Sequence, residues 1–370
     1  MTSETPFQID IPDEKLTILR AKLELASFPN ELEDARWKYG APLADIKRLT
    51  ERWKNSYNWR KYEKEINEQL PMFTCDIDVD GFGVLNIHYV HKKSETVDAI
   101  PLLFCHGWPG SFLEVGKILP FLTSSAPEHP SFHVVVLSLP GFGFSEAPHK
   151  QGFAIDQYAE VAHKLMLALR YNEYVTHGGD WGSLITRRMA SVYGGRHLKA
   201  WHTNSPLPKP PSWRLPLFFL SFLLTPWSTE EKAGIERTTW FQTKGQGYYH
   251  EQSTQPQTLG YMLTWISLYW FSRNGPAASL RIYFELRSNC EDLGQSPTIP
   301  MGASFFPKEL IVLPTVWLCK SHNVVFESHH KTGGHFAATE VPEELAQDIW
   351  KMFVKGGPAF AIVPGRTGYA

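Results

Sequence analysis

Gly178-Gly179-Asp180-Trp181-Gly182 follows a short apolar run, Tyr174-Val175, and opens into residues 184–193, whose pattern predicts a helix. Strand, sharp turn and helix in that order, with Gly-x-Asp-x-Gly at the turn, make the frame of a nucleophile elbow, with Asp where hydrolytic esterases carry Ser. The glycines have a physical reason. A strained turn that lifts one side chain above a sheet leaves no room for β-carbons on either side. Read alone, Asp180 fits a helix N-cap equally well. As a nucleophile it implies chemistry that a serine does not. A carboxylate, with an unperturbed pKa of about 3.9, is ionised near neutral pH. It can attack a saturated carbon directly and form an alkyl ester. Strained epoxides and alkyl halides are the natural electrophiles. A base is needed only afterwards, to activate the water that cleaves the ester.

Upstream of the elbow, Leu102-Leu103-Phe104-Cys105 reads as a buried strand and His106-Gly107-Trp108-Pro109-Gly110 as the loop at its end. Such a loop can donate a backbone N–H to a developing oxyanion, with a second donor from the residue after the nucleophile. Here these are the backbones of Trp108 and Trp181; the plainer reading of the loop is a turn. Residues 133–139 predict the next strand, 156–171 an amphipathic helix and 199–204 another strand. After Ser205 the composition changes. Pro206, Pro208, Pro210 and Pro211 mark an exit from the core, and the stretch to about Gly302 is helical and rich in Trp, Tyr and Phe, as expected of an inserted cap. Residues 310–319 predict a return to strand, 323–327 form a second apolar run, and 342–353 predict a closing helix.

Residues 1–95 form a segment in their own right. Ile11-Pro12-Asp13 carries helix entry signals, with Leu16, Leu19, Leu23 and Leu25 following at near-helical spacing. Residues 43–53 predict a second helix, and Asn58-Trp59-Arg60-Lys61-Tyr62-Glu63 opens a third. Residues 74–78 and 84–90 alternate polar and apolar around Asp80-Gly81, a hairpin signal. The expected divisions are 1–95 for this segment, 96–205 and 305–370 for the two parts of the core, and 206–304 for the cap.

A chain of 370 residues with 43% hydrophobic residues has enough apolar material for a large core, and a net charge of −2 gives no reason to expect a nucleic-acid partner. The N-terminus is acidic and polar, unlike a secretory signal. The most apolar run, residues 215–224, is too short to span a bilayer. Cys75, Cys105, Cys290 and Cys319 lie far apart without metal-ligand spacing. Free thiols in a reducing, cytoplasmic compartment are expected, with no metal and no cofactor.

Taken together, the N-terminal segment with Asn58-Trp59-Arg60-Lys61-Tyr62-Glu63, the His106–Ser111 loop, the Asp180 elbow and Gly333-Gly334-His335-Phe336-Ala337-Ala338 resemble the microsomal-type epoxide hydrolases over nearly the whole chain. The resemblance implies an α/β-hydrolase fold: a mostly parallel central sheet flanked by helices, with a helical cap and an N-terminal extension. It implies Asp180 as nucleophile, His335 as base, and two cap tyrosines that polarise the epoxide oxygen. These match Tyr248, in Gly247-Tyr248-Tyr249-His250-Glu251-Gln252, and Tyr283, in Arg281-Ile282-Tyr283. The tyrosine role is chemically sound, since opening an epoxide generates an alkoxide to which a phenol can donate. An aromatic cap implies a hydrophobic aryl or alkyl epoxide, and the resemblance implies a place in detoxification, xenobiotic metabolism or aromatic hydrocarbon breakdown. The N-terminal segment either wraps cap and core or reaches a second subunit, which leaves a homodimer open.

Two joins depart from the family pattern. A triad needs an acid to orient its histidine, and the family places it after the strand that residues 315–319 are expected to form. Only Lys320-Ser321-His322 then precede Asn323, too few for a parallel crossover. The acid is therefore expected to be missing, with Glu327, inside the following strand, as the nearest candidate. In the cap, Leu263 runs straight into Thr264 and the fused stretch is apolar on nearly every face, unlike a helix with one buried stripe. Both joins suggest omitted segments. Three readings follow: an epoxide hydrolase, working or impaired in ester hydrolysis; a haloalkane dehalogenase-like enzyme using the Trp181 indole, distinguishable by halide release; and a non-catalytic binder of apolar ligands, distinguishable by affinity without a covalent adduct.

Overall fold

Strands β4 (Ile100–Cys105), β5 (Phe132–Leu137) and β6 (Tyr174–Gly178) are buried at every position. They belong to a sheet covered on both faces, which is why they read as unbroken apolar runs. The structure is a computed structural model that describes residues 4–39, 41–208, 227–244, 259–283, 285 and 295–370. Its other strands are β1 (Thr5–Phe7), β2 (Met72–Val79), β3 (Gly83–Lys92), β7 (Leu198–Thr203), β8 (Met301–Phe305) and β9 (Val324–His329). One nine-stranded sheet runs in the order β1-β2-β3-β5-β4-β6-β7-β8-β9. It is antiparallel from β1 to the β3–β5 pair and parallel from there to β9. The β2–β3 pair is the hairpin expected around Asp80-Gly81.

Alternate residues of the central strands feed two cores. Leu102, Phe104, Val134, Val136 and Val175 pack on one face with Leu345, Ile349 and Phe353 of the closing helix. Leu103, Cys105, Val135 and Leu137 pack on the other with Tyr158, Leu165, Ile185 and Met189. The helices that supply these are α5 (Ile155–Ala168), α6 (Trp181–Tyr193) and α11 (Pro342–Phe353); α4 (Leu119–Thr123), α9 (Thr315–Ser321) and α10 (Ala337–Glu340) complete the core.

The N-terminal segment holds α1 (Asp13–Glu24), α2 (Leu43–Asn55) and α3 (Trp59–Gln69), the three helices expected there. Asn58 caps α3 by accepting from Lys61 N. Glu63 is the buried lock. Its Oε1 accepts from Ile11 N at 2.7 Å and from Trp59 Nε1 at 3.0 Å, and its Oε2 faces Arg60 at 2.5 Å. Glu63→Ala would strand two buried donors and a guanidinium. It is expected to lower the unfolding free energy by about 2–4 kcal/mol, since each unsatisfied buried group costs roughly 1–3. Urea unfolding with an unchanged midpoint would contradict this.

The cap contributes α7 (Thr229–Lys244) and α8 (Leu259–Phe271). Helix α8 runs unbroken across Leu263–Thr264, and its apolar surround has a physical reason: it is packed from two sides. Trp53 Nε1 donates to Ser267 Oγ at 3.1 Å and Tyr57 Oη to Thr264 at 3.0 Å, while Trp59 packs on Phe271. Opposite contacts tie Tyr269 to the Gly110 carbonyl and Trp265 to Phe336.

The second join is corrected outright. Residues 315–321 are helix α9, not a strand. The strand before it is β8, Met301–Phe305, which pairs with β7 and β9. The sheet therefore resumes at Met301, ahead of the expected boundary at 305. The crossover from β8 to β9 spans residues 306–323 with its own helix, and the crossover and acid-bearing loop expected to be absent are present. The run MGASF escaped notice because it is short and carries a Gly and a Ser.

Candidate active site

The elbow is built as the glycines require. A β-carbon at Gly182 would stand 2.0 Å from the Cys105 carbonyl oxygen, and one at Gly178 2.3 Å from the Gly182 carbonyl oxygen. Between them Asp180 takes φ 49° and ψ −127°, a conformation that L-residues rarely adopt outside functional turns. It occupies the N-cap position of α6, yet its side chain makes no cap hydrogen bond. The carboxylate turns to two other loops instead. Trp108 N donates to Asp180 Oδ1 at 2.8 Å, and His335 Nε2 lies 3.0 Å from Asp180 Oδ2.

Behind the imidazole stands a buried carboxylate that sequence reading did not single out. His335 Nδ1 is 2.5 Å from Glu309 Oε1. Glu309 follows β8 in Phe306-Pro307-Lys308-Glu309 and is 3% exposed. Leu310 N donates to the same Oε1 at 2.7 Å, and Arg237 of α7 donates to the Glu309 and Lys308 carbonyls at 2.5 and 2.7 Å. Glu327, the earlier candidate, lies in β9 opposite Ala303 and is exposed. A carboxylate shortly after a strand that ends at a proline was the signal available in the sequence. The His335 loop is pinned from two sides: Asn204 Nδ2 donates to the His335 carbonyl at 3.0 Å, and Phe336 N donates to Glu340 Oε1 at 3.0 Å. Burial raises the Glu340 carboxyl above the ordinary range.

The loop after β4 is set by His106. Its Nε2 accepts from Leu139 N at 3.3 Å and its Nδ1–H donates to the Gly107 carbonyl at 2.9 Å. Burial pushes this imidazole down to about 4, so it stays neutral and structural. A β-carbon at Gly107 would stand 2.2 Å from Asp180 Oδ1, so only glycine lets the loop approach the carboxylate. Trp181 follows Asp180 in sequence, and Trp108 reaches it from the loop after β4. The Tyr283 ring meets both edge-on, at 5.5 and 4.7 Å between centroids. Tyr248 lies outside the described residues. The arrangement is thus a carboxylate above the sheet, one oxygen on a backbone N–H, the other on an imidazole backed by a second buried carboxylate, with a phenol nearby.

Residues 4–115 match the family model described as the epoxide hydrolase N terminus, and residues 100–225 match that of the alpha/beta hydrolase fold. The chain is 33% identical to a putative epoxide hydrolase of Stigmatella aurantiaca, over 94% of this chain and 84% of that protein. The chain belongs to the epoxide hydrolase family. It is 32% identical to epoxide hydrolase 1 of Sus scrofa, over 94% of this chain and 87% of that one. Among solved structures it is similar to Aspergillus niger epoxide hydrolase, with TM-score 0.77 and 31% identity over 94% and 95% of the two chains. The juvenile hormone epoxide hydrolase of the silkworm Bombyx mori gives TM-score 0.81 and 25% identity over 94% and 93%. The sequence alignments run over 389 and 413 positions, more than the 370 residues of this hydrolase, so those relatives carry internal segments that it does not. Among its described residues, no helix is long and apolar enough to cross a membrane.

Proposed function

We propose that this epoxide hydrolase converts hydrophobic epoxides to vicinal diols through an ester on Asp180. The observation that carries the reading is the Glu309–His335–Asp180 line, with Trp108 N–H on the outer carboxylate oxygen. Asp180 Oδ2 attacks a ring carbon, the carbon–oxygen bond breaks, and the leaving oxygen takes a proton from Tyr283, with Tyr248 as its expected partner. His335 then removes a proton from water, and the hydroxide adds to the ester carbonyl carbon. Negative charge gathers on Oδ1, where the Trp108 and Trp181 backbones are suited to receive it. On collapse the departing diol oxygen takes its proton from the His335 imidazolium and the proton of the regenerated Asp180 carboxyl returns to the Tyr283 phenolate, while Glu309 orients the imidazole and balances its charge.

A single turnover in H₂¹⁸O with enzyme in excess tests the route. The label is expected in Asp180 and not in the diol, because the diol oxygen comes from the carboxylate. Label in the first-turnover diol would mean direct attack by water. Tyr283→Phe is expected to slow epoxide opening by about 10²–10³-fold, as losing one donor to a developing oxyanion does, or less if Tyr248 shares the load. Ring opening followed by stopped flow checks it, and an unchanged rate would remove Tyr283 from the mechanism.

The dehalogenase-like reading, which rests on the Trp181 indole, is less well supported, because the N-terminal segment and the relatives are those of epoxide hydrolases. The non-catalytic reading rested on a missing acid, and the contact of Glu309 with His335 removes that ground. Cys75 and Cys105, free and buried, fit a cytoplasmic setting.

A further inference from the structure

Glu114 lies four residues past Gly110, in the turn Phe112–Gly116, and is 6% exposed. Its carboxyl packs on the loop main chain. A β-carbon built at Gly110 would stand 1.5 Å from Glu114 Oε1, so the acid fills the place a side chain at position 110 would take. That oxygen is buried with no hydrogen-bond partner among the described residues. Buried polar atoms left this way are rare, and a catalytic role or an ordered water is among the explanations. The charged and titratable groups that bear on the carboxyl are Asp180 from the elbow, His335 from the loop after β9 and Tyr269 from α8, beside the main chain at Gly107 and Ser111. Tyr269 Oη donates to the Gly110 carbonyl at 2.7 Å, which holds the loop against Glu114.

We propose that Glu114 is a positioning residue for ester hydrolysis: its buried carboxyl gives the attacking water a second hydrogen-bond partner beside His335. This rests on the Asp180 ester described above. The water oxygen is aimed at the ester carbonyl carbon by two groups, of which only His335 takes its proton; Glu114 neither gains nor loses one in the cycle. Burial first, and the charge of Asp180 second, push the Glu114 carboxyl up to about 8. Below that it is neutral and both donates and accepts. Above it the donor is lost and a negative charge stands near the oxyanion forming on Asp180, so hydrolysis falls as pH rises through about 8.

The test separates the half-reactions in Glu114→Gln and Glu114→Leu, using styrene oxide. Alkylation is followed by quenching of tryptophan fluorescence and hydrolysis by single-turnover diol release. In Glu114→Leu, alkylation is expected within about twofold of wild type and hydrolysis about 10- to 100-fold slower, the scale of a misplaced reactant. Glu114→Gln, a neutral isostere, is expected to hydrolyse at close to the wild-type rate at pH 7 and to lose the decline above pH 8. Wild-type hydrolysis in Glu114→Leu, or equal slowing of both steps as from a mere brace of the loop, would overturn the proposal. So would a Glu114→Gln profile that keeps the alkaline decline, and that measurement stands even where Glu114→Leu does not fold. An absence of any Asp180 ester in the wild type would instead bring down the underlying reading, and this proposal with it.

Discussion

Replacing Asp180 by Asn is expected to lower diol formation by about 10⁴–10⁶-fold, the range seen when a nucleophile is removed from a preorganised site. The amide is nearly isosteric, so it can keep the contact between Trp108 N and Oδ1, but its nitrogen is a poor nucleophile and cannot form the alkyl ester. Nothing in the sheet depends on the carboxylate charge. The elbow is held by close packing at Gly178 and Gly182 and by the bonds of Ser183 N to the Gly179 and Asp180 carbonyls. Thermal unfolding should therefore stay near wild type while intact-mass analysis after epoxide treatment shows no adduct. Retained activity, with peptide mapping showing no deamidation back to Asp, would end the assignment of Asp180 as nucleophile.

The elbow was legible because its geometry leaves few residue choices: glycine where backbone meets backbone, and one functional side chain at a strained φ. The hairpin, the N-terminal helices and α11 were legible from turn chemistry and periodicity. The acid was not. β8 offers five residues with a glycine and a serine among them, because it is buried between β7 and β9 and needs small residues there. A β-carbon at Gly302 would stand 2.7 Å from the His202 ring. The run at residues 315–319, by contrast, has the β-branched and aromatic look of a strand yet forms α9, starting after Pro314. Mistaking one for the other displaced the expected acid by one strand and made Glu327 the nearest carboxylate. Helix α8 did not read as a single amphipathic helix for a related reason. Periodicity reports one buried face, and a helix held between Trp53 and Tyr57 on one side and the Gly110 loop on the other has two.

Glu309→Gln separates the two chemical steps. Attack on the epoxide needs the Asp180 carboxylate and the cap phenol, neither of which touches Glu309, so ester formation should proceed at close to the wild-type rate. Hydrolysis needs His335 in the tautomer that leaves Nε2 free to accept, and needs a partner for the imidazolium that forms. A glutamine can present its NH₂ to Nδ1 and hold the wrong tautomer, and it offers no charge in a site where Glu309 is 3% exposed and water cannot substitute. In the serine-protease case the matching substitution lowers turnover by about 10⁴-fold. Here the same loss should fall on the second step alone. Styrene oxide is then expected to leave a long-lived adduct of one substrate mass, mapped to the peptide carrying Asp180, with diol released only slowly. The parallel change Glu327→Gln, at an exposed position of β9, should leave both steps as in wild type. Fast diol release from Glu309→Gln would mean that a different carboxylate, with Glu340 the next to bear on His335, completes the line. A loss of ester formation equal to the loss of hydrolysis would mean that Glu309 supports the site as a whole and not the base.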